Sequence, residues 1–224
     1  MSQATIIIPT LNEASNISHC LTQLLPLKEK GFEIILVDGG STDKTLQLAQ
    51  ELCDKIIISP PGRAQQMNTG ALHAHGETLF FLHADTQLPK DFVALLPHIQ
   101  KNSLYWGRFD VDFSSNQKVF KIIANMMNLR SRITGICTGD QVFFMSQSLY
   151  RISGGYPEIA LMEDIAMSKK LKAFCAPLCL RQKVRTSSRR WEQHGVIKTI
   201  IKMWYLRLAY FIGIDPKKLA RQYE

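Results

Sequence analysis

Apolar and polar positions follow two different periods in the first half of the chain. Short apolar runs predict buried strands, and apolar residues spaced three or four apart predict helices. The predicted strands cover residues 5–8, 33–37, 55–59 and 78–82, and the predicted helices cover 12–25, 44–52 and 62–75. This alternation predicts an α/β fold with a mostly parallel sheet flanked by helices.

The second half has a looser pattern. It predicts strands at 104–113 and 141–145, and helices at 117–130 and 163–172, the last of them after the turn at Gly154-Gly155. Residues 191–212 are rich in Ile, Trp, Tyr and Leu, which predicts a terminal helical segment. Its charges do not share one face, which is typical of a helix that packs on the domain with its Lys and Arg side chains reaching solvent.

Polar residues gather where the predicted strands end. Glu13 follows the first strand, Asp38 the second, and His83 and Asp85 the fourth. Because ligands bind beyond the carboxyl ends of parallel strands, we expect a ligand site at this edge. The first turn has no G-x-G-x-x-G pattern, and the chain has no G-x-x-x-x-G-K-[ST] pattern, so two common nucleotide sites are excluded.

Each carboxylate at these positions, and Glu163-Asp164 later in the chain, has two alternative roles. Asp38 suits hydrogen bonds from a base or ribose, or belongs to a turn in which Ser41 or Asp43 caps the next helix and leaves Asp38 free. Asp85 suits a divalent cation beside a diphosphate, or caps a helix that begins near Pro89. Glu163-Asp164 opens a helix, where a carboxylate either acts as a general base or only complements the helix dipole.

Charge is distributed unevenly along the 224 residues. Residues 1–168 carry 13 Lys and Arg against 16 Asp and Glu, whereas residues 169–224 carry 14 against 3. The basic last quarter predicts an anionic partner (a membrane surface, a phosphate group or nucleic acid) or a solvated tail. The composition, 46% hydrophobic and 21% charged, excludes a disordered or low-complexity chain.

The sequence favours a protein of the cytoplasm. The N-terminus lacks a basic region before its apolar run, so we expect no signal peptide. The most apolar stretch, 196–214, is interrupted by Lys198, Lys202 and Arg207, so no spanning helix is expected. The five cysteines are scattered and odd in number, and Cys175 and Cys179 lack a second pair at zinc spacing.

Five motifs, in order, resemble those of family 2 glycosyltransferases. They are Ile6-Ile-Ile-Pro-Thr-Leu-Asn-Glu13, Val37-Asp-Gly-Gly-Ser-Thr-Asp43, Pro61-Gly-Arg-Ala-Gln-Gln-Met-Asn-Thr-Gly70, Phe81-Leu-His-Ala-Asp85, and Gly154-Gly-Tyr-Pro followed by Met162-Glu-Asp164. Together they cover about residues 4–175 and are most similar to a short, stand-alone bacterial subgroup.

The resemblance implies a GT-A fold and the transfer of a sugar, with inversion, from a nucleotide diphosphate sugar to a hydroxyl acceptor. It implies a divalent metal, Mn²⁺ or Mg²⁺. By position, it assigns the nucleotide-sugar site to Pro9, Glu13, Asp38, Arg63 and Asp85. Asp164 would be the general base that deprotonates the acceptor hydroxyl, and the acceptor side would include Glu163, Arg190 and Trp191.

Three residues depart from the family pattern. His83 replaces the first aspartate of Asp-x-Asp, which leaves His83 and Asp85 as the expected metal ligands and removes one hard oxygen. Gly39 follows Asp38 where many members have a second aspartate. Ser187 replaces the glutamine of Gln-x-x-Arg-Trp, although Arg190-Trp191 is present, which favours the addition of a single sugar over polymer synthesis.

The expected organisation is a single GT-A-like domain over 1–186, with a nucleotide half at about 1–100 and an acceptor half at about 101–186. A basic, aromatic-rich helical segment, 187–224, follows it. We expect Arg185, Arg189 and Arg190 to face a lipid-linked or phosphate-bearing acceptor, or the anionic inner face of a membrane. Nucleic acid is disfavoured as a partner, because the aromatic residues of this segment follow a helical packing pattern.

Two other functions fit parts of the sequence. A domain that binds nucleotide sugars without catalysis fits the replacement of a metal ligand by His83. A sugar-nucleotide nucleotidyltransferase fits the general architecture, but it would need a Gly-rich basic loop after the first strand, where this chain has Thr10-Leu-Asn-Glu13.

Overall fold

A computed structural model describes residues 3–223. Its strands are β1 (Ala4–Thr10), β2 (Phe32–Asp38), β3 (Lys55–Ile58), β4 (Thr78–Phe81), β5 (Thr86–Gln87), β6 (Trp106–Phe113), β7 (Phe143–Ser146) and β8 (Leu178–Thr186). Its helices are α1 (Ile17–Lys28), α2 (Thr45–Ala49), α3 (Arg63–Leu72), α4 (Phe92–Ile99), α5 (Lys118–Thr134), α6 (Gln147–Ser153), α7 (Glu163–Leu171), α8 (Arg189–His194), α9 (Val196–Phe211) and α10 (Pro216–Tyr223).

The strands form one sheet in the order β3-β2-β1-β4-β7-β6-β8-β5. The four strands of the first half, β3, β2, β1 and β4, are parallel, as their apolar runs predict. Beyond β4 the sheet is mixed, since β7 is antiparallel to both β4 and β6 while β8 is parallel to β6. The predicted α/β class is therefore confirmed, and the carboxyl ends of the parallel strands form one edge.

Helices cover both faces of the sheet. One core contains side chains of α1, α4 and α5 against Ile6, Ile8 and Phe80, and the other contains those of α3, α6 and α7 against Ile7, Val37 and Phe81. Consecutive residues of β1 and β4 thus point to opposite cores, which explains their uninterrupted apolar runs. A third, smaller cluster joins Met162 and Ile165 to Leu206, Ala209 and Leu219 and so packs α9 and α10 beside α7.

Two element boundaries differ from the prediction for local reasons. Helix α1 begins at Ile17 rather than at residue 12, because Asn12 has a φ of 54° and the carbonyl of Glu13 accepts the N–H groups of Asn16 and Ile17. The predicted terminal helix 191–212 is divided at Gly195, whose φ of 83° ends α8 before α9 begins. Between residues 3 and 223, none of the helices combines the length and the apolar character needed to span a bilayer.

Candidate active site

The loops that follow β1 and β2 hold each other at the carboxyl edge of the sheet. The N–H of Asn12 donates to Oγ of Ser41 at 2.8 Å, and the N–H of Thr42 donates to Oδ1 of Asn12 at 2.9 Å. The N–H of Glu13 donates to Oγ1 of Thr45, also at 2.8 Å. These bonds tie together the two loops on which the sequence places the nucleotide site.

The sequence suggested that the Asp38 carboxylate would be free, but the structure shows it hydrogen-bonded to its own turn. The residue is fully buried, and its Oδ2 accepts the N–H groups of Gly40 at 2.9 Å and Ser41 at 2.7 Å. Asp43 is the residue that caps α2, since its Oδ1 accepts the N–H of Thr45 at 2.9 Å. Asp38 therefore closes its own turn and shapes this part of the edge, and its contact with a nucleotide stays a prediction.

Pro9 and Glu13 flank the same edge. Pro9 lies half-buried in β1 opposite Val37 of β2. The Glu13 carboxylate accepts Nδ2 of Asn16 at 2.7 Å, at the beginning of α1. From α3, Nε2 of Gln66 donates to the carbonyls of Thr10 and Val37 at 2.7 and 2.9 Å, which fixes α3 at the ends of both strands.

Arg63 begins α3 and meets His83 from the end of β4. Its Nη2 lies 3.0 Å from Nδ1 of the imidazole, and the same ring nitrogen lies 3.6 Å from Oδ1 of Asp140. A Cβ on Gly139 would lie 2.5 Å from the imidazole ring, so the absence of a side chain there allows this approach. Partial burial would raise the pKa of Asp140, but hydrogen bonding and charge from His83 and the charge of Arg63 lower it below its usual range.

The backbone of Gly139 links Asp164 to the group formed by Arg63, His83 and Asp140. Oδ2 of Asp164 accepts the N–H of Gly139 at 2.9 Å, and its Oδ1 accepts the N–H of Ile165 at 2.8 Å. The residue is half-buried, and both its oxygens keep lone pairs beyond these bonds. The structure therefore brings the predicted base beside the Arg63–His83–Asp140 group, although it lies more than 80 positions along the chain from His83 and Arg63.

Glu163 lies beneath this surface. Only 6% of the residue is exposed. Burial and the neighbouring Asp164 charge raise the pKa of its carboxyl to about 7, against the opposing charge of Arg63. The preceding residue, Met162, has a φ of 71°, which is unusual for a residue other than glycine and turns the chain into α7 at this point.

Asp85 faces a different part of the edge. It lines a cavity of about 250 Å³ between the beginning of α1 and the end of β8, together with Asn16, His19, Cys20, Arg185 and Ser187. The alternative role as a helix cap is wrong, because α4 begins only at Phe92, after Asp91. Asp85 thus stays available for a ligand.

The residues around His83 and Asp85 do not fit a resident divalent metal. Among residues 3–223, no three His, Cys, Asp or Glu side chains are grouped as a metal site would require. His83 is also in contact with a guanidinium group, and a second positive charge there would be repelled. The dependence on Mn²⁺ or Mg²⁺ stays a prediction, and no step below uses a metal.

Arg190 packs within the C-terminal segment, and Trp191 connects that segment to the domain. The Arg190 guanidinium lies 3.9 Å from the centre of the Tyr223 ring and donates to its hydroxyl. Trp191 packs edge-on against Phe113, with 5.8 Å between the ring centres. Their assignment to an acceptor site stays a prediction.

Three residues near Asp164 were not singled out as site residues from the sequence: Asp140, Arg130 of α5 and Arg207 of α9. Asp140 lies in a polar stretch, residues 138–141, just before buried strand β7, and because β7 is antiparallel to β4 the beginning of β7 lies at the same edge as the end of β4. Arg130 and Arg207 carry no comparable mark, because they lie on helices α5 and α9 far along the chain from Asp164.

The family model for glycosyl transferase family 2 matches residues 5–153. The chain belongs to this family. A relative, the PGL/p-HBAD biosynthesis glycosyltransferase of Mycobacterium bovis, is 42% identical over 91 residues, which are 38% of this chain and 36% of the relative. The aligned part is therefore little more than a third of that relative's length.

Solved structures of glycosyltransferases share the fold. S. aureus TarS in complex with UDP-GlcNAc matches with a TM-score of 0.65 and 19% identity, over 84% of this chain and 58% of TarS. The mannosyltransferase PcManGT of Pyrobaculum calidifontis, in complex with GDP-Man and Mn²⁺, matches with a TM-score of 0.64 and 21% identity, over 92% of this chain and 61% of PcManGT. The expected GT-A architecture is confirmed.

Proposed function

We propose that this protein transfers a single sugar from a nucleotide diphosphate sugar to a hydroxyl acceptor, with inversion at the anomeric carbon. The observation that carries the proposal is the position of Asp164, which the backbone of Gly139 holds beside Arg63 and His83 at the carboxyl edge of the sheet. Family membership supports the same activity. UDP-GlcNAc and GDP-Man in the neighbouring structures support a donor of this chemical class.

In the proposed reaction, the acceptor oxygen forms a bond to the anomeric carbon on the face opposite the diphosphate. The bond from that carbon to the phosphate oxygen breaks, and the nucleoside diphosphate leaves with the electron pair. The acceptor proton passes to a carboxylate oxygen of Asp164, which acts as the general base. Arg63 supplies positive charge toward the leaving diphosphate, and the turn closed by Asp38 shapes the nucleoside site.

Substitution of the base gives the direct test. Asp164→Asn keeps the size and the hydrogen-bond acceptor for Gly139 but cannot take the proton, so transfer is expected to fall by about 100-fold or more. Binding of UDP or GDP, measured by thermal shift with and without Mn²⁺, is expected to stay within a few fold of the parent protein. Asp91→Asn, at an exposed carboxylate before α4, is the matched control.

The rival functions predict other results. Full transfer by Asp164→Asn would show that Asp164 is not the base. Nucleotide binding without any donor hydrolysis or transfer would support a non-catalytic domain. Release of pyrophosphate from a nucleoside triphosphate and a sugar phosphate would support a nucleotidyltransferase.

We further propose that the protein binds the surface of an anionic membrane. Helix α9 turns a row of large apolar side chains outward, with Ile197, Trp204 and Leu208 exposed by 74, 65 and 62%. Helix α5 does the same, with Ile122, Met126, Leu129 and Ile133 each exposed by more than half. We call these two rows the α5/α9 apolar face.

Charges near this face match an anionic surface. Lys118 and Lys121 of α5 and Lys198 of α9 are exposed, and Lys169 of α7 lies 4.3 Å from the centre of the Phe211 ring. Apolar helix faces flanked by Lys and Arg are typical of helices that lie in the membrane interface. An acceptor carried by a lipid would be brought to the enzyme by such a surface.

A further inference from the structure

Two arginines beside Asp164 have buried nitrogen atoms without partners. Among residues 3–223, neither Nε nor Nη2 of Arg130, nor Nε of Arg207, has a hydrogen-bond partner, although all three atoms are buried. Buried guanidinium groups are normally paired, because an unmatched buried donor costs free energy and an unmatched charge costs more. The folded protein therefore holds donors that lack their acceptors.

The two guanidinium groups and the proposed base are within electrostatic range: Arg207 acts on Arg130, and Asp164 acts on both. Burial and the charge of Arg207 lower the pKa of Arg130 to about 10, while Asp164 opposes this change. For Arg207, burial lowers the pKa, and Asp164 and Asp140 oppose it. With a pKa of about 10, Arg130 keeps its positive charge at neutral pH.

Asp164 does not neutralise these arginines. Its two oxygens accept the backbone N–H groups of Gly139 and Ile165, and in the part of the chain that the structure describes it forms no ion pair with Arg130 or Arg207 within 4.0 Å. In that same part of the chain, the negative charges of Asp164 and Asp140 therefore act on these arginines without forming an ion pair, and buried N–H groups of both guanidinium groups still lack an acceptor.

The arginine pair is separate from the residues assigned to the donor. Arg63 is the first residue of α3 and contacts His83, whereas Arg130 and Arg207 project from α5 and α9. The carboxylates of Glu163, Asp140 and Asp164 raise the pKa of Arg63, and Asp164 also acts on Arg130 and Arg207. The charge of Asp164 is thus shared by Arg63 and the arginine pair.

We infer that Arg130 and Arg207 bind an anionic group, a phosphate or a carboxylate, that the acceptor carries near its reacting hydroxyl. This inference rests on the proposed function, because it takes Asp164 as the base that faces the acceptor. A guanidinium group presents a planar fork of N–H donors that matches phosphate and carboxylate oxygens. Two forks from two helices would fix the acceptor hydroxyl toward Asp164.

The anion has two sources, a soluble metabolite or a lipid headgroup. Helix α9 carries Arg207 on its inner side and Trp204 and Leu208 on its outer side. A lipid bound at the α5/α9 apolar face would therefore contact the helix that carries one of the two arginines. Both sources present the same anionic oxygens, and the experiment below separates them.

Inorganic phosphate is the probe, and the full chain is measured with and without saturating UDP. At constant ionic strength, replacement of chloride by phosphate is expected to raise the Tm of the parent protein. Arg130→Gln and Arg207→Gln are expected to weaken phosphate binding by about 10-fold or more, since each removes a charged donor. Arg151→Gln, at an exposed arginine of α6, is the matched control and is expected to respond like the parent.

The variants also report on folding. Because each removes an unmatched buried charge, their Tm without phosphate is expected to equal or exceed that of the parent. Arg207→Lys, which keeps the charge but not the fork, is expected to bind phosphate with intermediate affinity. Flotation with phosphatidic acid vesicles separates the two sources of the anion. If Arg130→Gln floats less than the parent, the anion comes from a lipid headgroup. If Arg130→Gln loses phosphate binding but floats like the parent, the anion comes from a soluble metabolite.

An equal phosphate response in parent and variants would overturn the inference. So would a response that UDP abolishes, because the pair would then serve the donor diphosphate. A UDP response without a phosphate response would also reject it and leave the proposed function intact. A phosphate response without a UDP response would count against the donor site alone.

Discussion

At the scale of single residues, the candidate site contains a buried carboxyl group with a raised pKa. Glu163 is buried beside Asp164, and the pKa of its carboxyl is raised to about 7 by burial and by that charge. A carboxyl that binds its proton more tightly in the folded state than in the unfolded state makes stability fall as pH rises between the two pKa values. For Glu163 this window extends from about 4.5 to about 7.

Glu163→Gln is expected to remove this dependence. Above pH 7 the folded parent bears the cost of a buried charge, about 3 kcal/mol for a pKa raised by this amount. The variant is therefore expected to be more stable than the parent at pH 8 by up to that amount and about equal to it near pH 4.5. Urea unfolding of both proteins from pH 4.5 to 8 measures the difference, and a gap that does not change with pH would contradict the raised pKa.

The positions of a few site residues could be predicted from the sequence, but their bonding could not. Glu13, Arg63 and Asp164 lie at the carboxyl edge, as their motifs predict. Asp38 also lies there, but its carboxylate is occupied by its own turn, which depends on a backbone path that spacing does not specify. Arg130 and Arg207 lie on α5 and α9, and only the tertiary structure brings their charges within range of each other.

At the scale of elements, unusual backbone marks the loops of the site. Asn12, Val142 and Met162 have φ values of 54, 50 and 71°, and among residues 3–223 these are the positive φ values outside glycine. Each lies in or beside a loop of the site: after β1, after Asp140 and before Glu163. Such backbone is costly and persists where the surroundings hold it, which is common at functional sites.

Strand β8 shows why one element was missed. Its alternation of Arg181, Lys183 and Arg185 with Val184 and Thr186 is the pattern of a half-buried strand, with the three basic residues exposed and the other two buried. The sequence interpretation treated these basic residues as part of a charged tail. The alternation of exposed and buried residues that predicts a strand is present in the sequence, but the excess of basic residues drew attention to charge instead.

Gly139→Ala tests whether the loop before β7 positions the donor side. The added Cβ would lie 2.5 Å from the His83 ring and displace it from Asp140. Donor binding is expected to weaken by about 10-fold, with a stability loss of about 1 kcal/mol, because the imidazole can rotate away. Titration of UDP by calorimetry measures the first effect, and urea unfolding measures the second.

Gly76→Ala is the contrasting control for that substitution. The added Cβ would lie 2.4 Å from the backbone of Ala4, which cannot move aside. The free energy of unfolding is therefore expected to fall by about 3 kcal/mol. The UDP affinity of the protein that remains folded is expected to be unchanged. UDP binding by Gly139→Ala equal to that of the parent would show that the His83–Asp140 contact has no role in donor binding.

At the scale of the whole molecule, three arginines of the basic last quarter already form hydrogen bonds within the fold. They are the three that the sequence predicts to face an acceptor or a membrane, and that role stays a prediction. Arg185 donates to the carbonyl of Ser114, Arg189 to Oγ of Ser15, and Arg190 to Tyr223. Net charge shows that a region attracts anions but not which of its cations are already bound, so this arrangement could not be predicted from composition.

The membrane proposal therefore depends on apolar side chains as much as on charge. The parent protein is expected to float with vesicles of phosphatidylglycerol, and its binding to vesicles of phosphatidylcholine alone is expected to be weaker. Trp204→Ser with Leu208→Ser removes two side chains of the α5/α9 apolar face, and each is worth about 1.5–3 kcal/mol when buried in lipid, so binding is expected to fall by more than 10-fold.

Leu72→Ser is the matched control, because Leu72 is 80% exposed at the end of α3, away from α5 and α9. It is expected to bind vesicles like the parent. Lys198→Glu is expected to weaken binding to phosphatidylglycerol while leaving the phosphatidylcholine baseline unchanged, because its contribution is electrostatic. If the parent does not float and instead sediments as a dimer that the Trp204 and Leu208 substitutions dissociate, the apolar face is covered by a second copy of the chain and the membrane proposal is wrong.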